Sequence, residues 1–259
     1  MNDGQRVSQE MYDWYTRYYT RAPHSAAHHD FCERVYGKDL CQHGYMDMAQ
    51  LHALLNVLQL SESDHVLELG CGCGLVADYI SDATGARVHG LDYIPTAIEQ
   101  ANDRTREKRG RLTFTVGDIN TLDFPPATFS AVIAIDTLYF SDLNDTIGRL
   151  KLMLKPGGQI GAYYTLMLWN EDDDTTTLQP DRTPLATALT RHGLTFQTWD
   201  YTRAEYDRSR LIQKIAPEFQ PRFAAEDNLF LFENRMIEAN GNAGFYEAGR
   251  LCRYLYQVR

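Results

Sequence analysis

Three glycines alternate with two cysteines at Gly70, Cys71, Gly72, Cys73 and Gly74, within the run "VLELGCGCGLVADY". Glycines between an apolar run and a helical pattern let backbone approach a ligand closely, and the helix start behind them favours anionic groups. The spacing is G-x-G-x-G. A dinucleotide fingerprint is G-x-G-x-x-G, and Leu75 stands where its third glycine would be. Carboxylates stand at matching places: Glu68 precedes the turn, Asp92 ends the next apolar segment and Asp118 ends the one after. An acid at Asp92 can accept two ribose hydroxyls, each charge-assisted bond contributing about 1.5–3 kcal/mol gross. Asp118 is placed to accept an adenine amine, with the backbone N–H of Ile119 offered to the ring. The thiols do not form a metal pattern: Cys71-x-Cys73 is closer than a zinc C-x-x-C pair, and no second pair follows. His24 and His28 are four apart but have no HExxH context. No metal centre is expected.

Such residues need strand ends to hold them. "HVLELG", "ARVHGLD", "LTFTVGD", "FSAVIAID" and "QIGAYYTL" read as five strands, the fourth apolar throughout as in a parallel strand buried on both faces. Helical patterns separate them. Leu75, Val76, Tyr79 and Ile80 share an inner face up to Gly85, Pro95 suits the first turn of "IPTAIEQANDRTREK", and "NDTIGRLKLML" ends at "KPGG". Upstream, "MDMAQLHALLNVLQL" puts Leu51, Leu54, Leu55 and Leu58 on one face, and Pro23 breaks any long helix before it. After Leu168 come an acidic polar loop, a short helix "PLATALTRHG", a strand in "LTFQTWDYT", an amphipathic helical stretch and a last strand in "AGRLCRYLYQV". This alternation predicts an α/β fold: a Rossmann-like, doubly wound, seven-stranded, mostly parallel sheet with helical lid elements. The expected divisions are an N-terminal helical lid segment over 1–50, a cofactor-binding core over 51–202, a helical lid insertion over 203–240 and a final core strand over 241–259.

A length of 259 residues suits one large α/β domain with appended lid elements. The net charge of -10 argues against a nucleic-acid backbone as partner, because phosphate contacts need clustered Lys and Arg. The N-terminus lacks the apolar stretch of a secretory signal, and runs such as "AVIAI" are too short to span a membrane. Five cysteines without a dense disulfide framework fit reduced thiols, so a cytoplasmic monomer or homodimer is expected.

In order and spacing, "LELGCGCG", "GLD", "GDI", "AIDTLYF" and "LKPGG" resemble the class I S-adenosylmethionine-dependent methyltransferases. The resemblance implies S-adenosyl-L-methionine as cofactor. Its methionine end would lie near Glu68, Gly70, Cys71 and Gly72, its ribose on Asp92, and its adenine near Tyr93, Asp118 and Ile119. Tyr15, Tyr36, His43 and Asp136 complete the implied cofactor surroundings, His43 as a reach toward the methionine carboxylate.

The flanks, "VYGKDLCQHGYMDM" and "RLCRYLYQV", resemble small-molecule N-methyltransferases, phosphoethanolamine methyltransferases above all. That family carries a proton-handling histidine after the fourth strand, where this chain has Phe140. The departure argues against phosphoethanolamine itself and leaves a related amine or another small acceptor. Tyr19, Tyr139, Phe140 and Tyr164 are the residues placed at the acceptor, with aromatic faces suited to a sulfonium or methylated ammonium. The leading expectation is methyl transfer to a small molecule, to an amine nitrogen first. Alternatives are methylation of oxygen or carbon, a cofactor binder without catalysis, and an NAD(P)-dependent oxidoreductase. The missing third glycine and the lack of a Tyr-x-x-x-Lys pair weaken the last.

Overall fold

The computed structural model describes residues 8–259, so the first seven residues of the expected lid segment lie outside it. Seven strands form one sheet: β1 (His65–Leu69), β2 (Arg87–Asp92), β3 (Leu112–Val116), β4 (Phe129–Ile135), β5 (Leu154–Met167), β6 (Phe196–Asp200) and β7 (Leu251–Val258). Their order is β3-β2-β1-β4-β5-β7-β6. The first five are parallel, and β7 runs antiparallel between β5 and β6. The order reverses between β1 and β4. In a doubly wound sheet this switch point opens a crevice at the carboxyl ends of the strands.

Alternation along each strand divides the core into two layers. Leu67, Leu69, Val132, Ala134, Ile160 and Ala162 pack on one side with α6 (Leu143–Met153) and α7 (Pro184–Arg191). Val66, Ala131, Ile133 and Tyr163 pack on the other with α3 (Met48–Leu58), α4 (Leu75–Thr84) and α5 (Pro95–Arg104). Strand β5 starts earlier than its apolar run suggests. Leu154 already pairs with Phe129, with a bulge before Ala131 that takes up "KPGG".

The two segments expected as lid elements meet in a third layer. Helices α1 (Gln9–Arg21) and α2 (Ala26–Tyr36) pack with α8 (Thr202–Ala225) and α9 (Leu229–Glu247) through Tyr18, Phe31, Val35, Ile212, Phe219, Phe223 and Leu231. Pro23 lies in a short 3-10 turn that separates α1 from α2. Helix α9 runs on past 240 to Glu247. Gly241 and Gly244 weaken a helix on propensity, but Asn242 and Ala243 between them are buried, and Asn242 Nδ2 donates to Glu205 Oε1 at 2.8 Å. Tertiary contacts carry α9 through its glycines. Among the described residues no helix is long and apolar enough to cross a membrane.

Candidate active site

Strand β1 delivers the chain into a loop whose three glycines all take positive φ: Gly70 at 68°, Gly72 at 52° and Gly74 at 71°. Two of them are also required by close approach. A Cβ on Gly72 would stand 2.7 Å from the Tyr19 hydroxyl oxygen, and a Cβ on Gly74 would overlap the Phe114 ring of β3. Gly74 caps α4 in the left-handed conformation. It thereby seats the helix against the sheet, as the third glycine of the dinucleotide fingerprint does one position later.

The acids expected at the strand ends converge on this loop. Asp92 Oδ2 accepts from Gly72 N at 2.8 Å and Oδ1 from Ile94 N at 2.9 Å. Burial pushes the Asp92 carboxyl up, against backbone bonds from Ile94, Gly72 and Tyr93 that pull it down. Glu68 is buried, and its Oε2 has no hydrogen-bond partner. Burial, and then the charge of Asp92, push its carboxyl up to about 8. Asp118, two residues past β3, caps the 3-10 turn Ile119–Thr121: its Oδ1 accepts from Asn120 N at 2.8 Å, and Asn120 Oδ1 accepts from Asp142 N at 3.0 Å. These groups line a cavity of about 270 Å³ at the switch point. The buried Glu68 carboxyl, with one oxygen unpartnered, fits an ammonium, the Asp92 carboxylate fits a ribose diol, and the glycine cradle fits backbone contact. The residues present therefore fit S-adenosylmethionine.

Every expected site residue except Tyr36 and Tyr164 lies on the cavity wall. Alternation puts Tyr164 with Ile160 and Ala162 in the layer of α6 and α7, opposite Tyr254 in register. Tyr36 is buried among the helices α1, α2, α8 and α9, with the guanidinium groups of Arg208 and Arg235 5.6 and 5.8 Å from its ring centre. Neither reaches the site. Tyr93 does, half exposed and edge-on to Tyr12 at 5.4 Å. Cys71 and Cys73 are buried thiols in the loop, and burial pushes the Cys71 thiol well up. His28 gathers with Cys32 and Asp39, not His24, with ligand atoms within 4.8 Å of one another. Its Nε2 already sits 3.1 Å from the Tyr18 hydroxyl, and Asp39 Oδ2 sits 3.0 Å from His29 Nδ1.

Aromatic rings close the other end of the cavity. Tyr15 and Tyr19 of α1 stack at 6.2 Å, Tyr15 stands edge-on to Phe140 at 6.3 Å, and Tyr139 lies 4.6 Å from Phe140. Burial pushes the hydroxyls of Tyr15, Tyr19 and Tyr139 up, so all three stay protonated at neutral pH. His43 is on the wall between α1 and α9. Its Nε2 lies 3.1 Å from Glu238 Oε1 and its Nδ1 3.5 Å from the Tyr15 hydroxyl. Burial pushes the Glu238 carboxyl up, but His43 and Arg235 outweigh it and hold the group below its ordinary range. No lysine or arginine is among the lining residues.

Asp136 reaches the wall at the end of β4 with φ of 53°, a left-handed conformation for a residue other than glycine. Its carboxylate is committed elsewhere: Arg253 Nη1 and Nη2 both donate to it, the second at 2.9 Å. Arg253 is itself buried on β7, and its Nε faces Glu205 Oε2 at 3.3 Å. Burial pushes Glu205 up to about 7 although Arg253 opposes it. Sequence reading missed Arg253, Glu205, Arg235 and Glu238. A basic residue inside the strand "RLCRYLYQV" was the visible signal for the first, since a buried arginine needs an anion. The others look like ordinary exposed positions of amphipathic helices.

The chain is similar in sequence and in fold to known proteins. Residues 66–158 match the methyltransferase domain family. A sterol 24-C-methyltransferase of Aspergillus fumigatus is 37% identical over 127 residues, 48% of this chain and 33% of that protein. The chain spans about a third of the length of the curated relatives it matches. Among solved structures, the geranyl diphosphate C-methyltransferase of Streptomyces coelicolor, bound to S-adenosyl-L-homocysteine, superposes with a TM-score of 0.63 at 15% identity, over 99% of this chain and 89% of that one. Phosphoethanolamine N-methyltransferase 2 of Haemonchus contortus gives 0.61 at 18% identity, over 94% of this chain and 59% of that one. At such identities the likeness is one of fold.

Proposed function

We propose, from the premise that this chain belongs to the class I S-adenosylmethionine-dependent methyltransferases, that it methylates a small, unphosphorylated acceptor that becomes cationic as the methyl arrives. The observation that carries this reading is the acceptor end of the cavity: aromatic walls from Tyr15, Tyr19, Tyr139 and Phe140, with no lysine or arginine to hold a phosphate. Aromatic faces favour a cation by about 0.5–2 kcal/mol per contact. A neutral amine nitrogen, which becomes an ammonium, is the first acceptor. A nucleophilic alkene carbon is the second reading, favoured by the identity to sterol 24-C-methyltransferases.

When bound, S-adenosylmethionine supplies an electrophilic methyl on a sulfonium, already a good leaving group. What this chain adds is placement. Asp92 takes the ribose hydroxyls, Glu68 faces the ammonium, and Asp118 faces the adenine. Tyr19 over Gly72 and Tyr15 against Phe140 exclude water and align the acceptor. Holding two reactants in line is worth up to about 7–11 kcal/mol. The test is to incubate the protein with S-adenosylmethionine and a panel of amines, alkenes and their phosphorylated counterparts, and to measure S-adenosylhomocysteine formed. Turnover of unphosphorylated amines, or of alkenes in the second reading, is the expected result. Turnover confined to phosphorylated acceptors, or none in the panel, overturns the reading.

A further inference from the structure

We infer that His43, oriented by Glu238, is the base that receives the acceptor's proton, delivered through the Tyr15 hydroxyl. The inference rests on the methyl-transfer reading above and adds the step that prepares it. An amine that arrives protonated has no lone pair for the methyl until it loses a proton, and the aromatic walls offer no base of their own. His43 is the imidazole on the cavity wall. Glu238 Oε1 lies 3.1 Å from Nε2, with Asn234 Nδ2 3.3 Å from the same nitrogen; when Nε2 carries its proton toward the carboxylate, Nδ1 is the acceptor toward Tyr15. The separation of 3.5 Å between Nδ1 and the Tyr15 oxygen is at the long limit of a hydrogen bond, as is common before substrate tightens a site. The ring is fixed by more than the dyad. Trp14 lies against it at 4.7 Å, and Arg235 Nη1 donates to the His43 carbonyl.

The step balances. The N–H bond of the arriving ammonium breaks and leaves its pair on nitrogen, where it can take the methyl. That proton goes to the Tyr15 oxygen as the tyrosine's own proton goes to His43 Nδ1. An imidazolium then faces the Glu238 carboxylate. Tyr15 ends as it began, so its high resistance to ionisation is no obstacle. The titratable and charged groups around the ring are Glu238 and Arg235 from α9, Tyr15 and Tyr18 from α1, and His28 from α2. His28 stays neutral, since burial and then Arg235 push it down to about 3. Glu238 is thus the anion at the ring, and it acts as a positioning residue.

The test uses the full chain with nitrogen-15-labelled histidine and S-adenosylhomocysteine bound. Ring nitrogen shifts of His43 should report the Nε2-protonated tautomer. With the amine turned over fastest, His43→Gln should lower kcat about 100-fold, within the range of a general base. Tyr15→Phe should lower it similarly, and the double variant should cost no more than either. Glu238→Gln should lower kcat about 10-fold and move the acid limb of the rate profile to lower pH, while leaving S-adenosylhomocysteine affinity within about twofold. An Nδ1-protonated ring, or a Glu238→Gln protein with the parental pH profile, overturns the inference. A protein that binds S-adenosylhomocysteine but methylates no acceptor overturns the proposed function instead, and the tautomer then decides the dyad alone.

Discussion

The backbone N–H of Gly72 donates to Asp92 Oδ2 at 2.8 Å, so the acid that ends β2 also sets the loop that ends β1. Asp92 Oδ2 accepts from Gly72 N and Oδ1 from Ile94 N, and Asp92 lines the cavity. An Asp92 that binds the ribose would therefore also hold the loop proposed for the methionine end. Asp92→Ala should weaken S-adenosylhomocysteine binding about 100-fold, equivalent to about 2–3 kcal/mol, with the circular dichroism spectrum unchanged. Titration calorimetry gives the answer, and a parental Kd would remove Asp92 from the site.

Glu68 makes a different prediction because its carboxyl is neutral in the empty protein at pH 7, pushed up to about 8 by burial and then by Asp92. An ammonium arriving there displaces the proton. Binding of S-adenosylhomocysteine near pH 7 should release close to one proton, read from calorimetric enthalpies in buffers of different ionisation heat. Glu68→Gln should abolish that release. Stability of the empty protein follows the same group. Below the ordinary carboxylate range the folded and unfolded states are both protonated. As pH rises from there through about 8, only the folded state keeps the proton, so this contribution is lost by up to about 1.4 kcal/mol per pH unit. Urea melts of the parent and of Glu68→Gln across pH 5–8 should diverge in that direction.

Much of the site could be read from the sequence because the switch point of a doubly wound sheet is local in the chain. The loop after β1 and the acids at the ends of β2 and β3 belong to successive strand ends, so the period of each segment places them. Tyr164 lies away from the cavity because alternation along β5 turns it to the layer of α6 and α7, while Tyr163 faces the other layer and donates to Gln50 O, at 2.9 Å. Glu238 and Arg253 were invisible for another reason. Their partners His43 and Asp136 are far away in the chain, and no local period encodes a charge pair between distant segments. Only the folded topology brings α9 to the turn before α3, or β7 to the end of β4.

The Arg253 network should be costly to break. Asp136, Glu205 and Arg253 are all buried or nearly so, and Gln50 Oε1 accepts from Arg253 Nη2 at 3.2 Å. Replacing Arg253 by Met leaves two carboxyls without their cation, a loss of about 3–5 kcal/mol for a buried pair. Glu205→Gln keeps the Arg253–Asp136 pair and should cost less. Denaturant midpoints at pH 7 measure both. Equal losses would show that Glu205, and not Asp136, is the partner that matters.

Helix α1 is the element most directly over the ligand cavity. Tyr19 stands against Gly72, Tyr15 against Phe140, and Gln100 Nε2 donates to Tyr19 O at 2.9 Å. A cavity of about 270 Å³ under these rings is small for a cofactor and an acceptor together. If α1 lifts for cofactor exchange, ligand should hold it down. Amide exchange over Gln9–Arg21 should slow on adding S-adenosylhomocysteine and slow further on adding acceptor. Exchange in α6, on the far side of the sheet, should change little. Tyr19→Ala removes the contact over Gly72 but none of the cofactor's polar partners. It should speed S-adenosylhomocysteine dissociation about tenfold in stopped-flow measurements and lower kcat more than it raises KM for the cofactor. The alternative is that α1 is fixed packing, anchored by Arg21 Nη2 on Asp227 Oδ2 at 2.8 Å and by Tyr18 in the helical layer. Exchange rates in α1 that no ligand alters would establish that alternative and place the opening elsewhere.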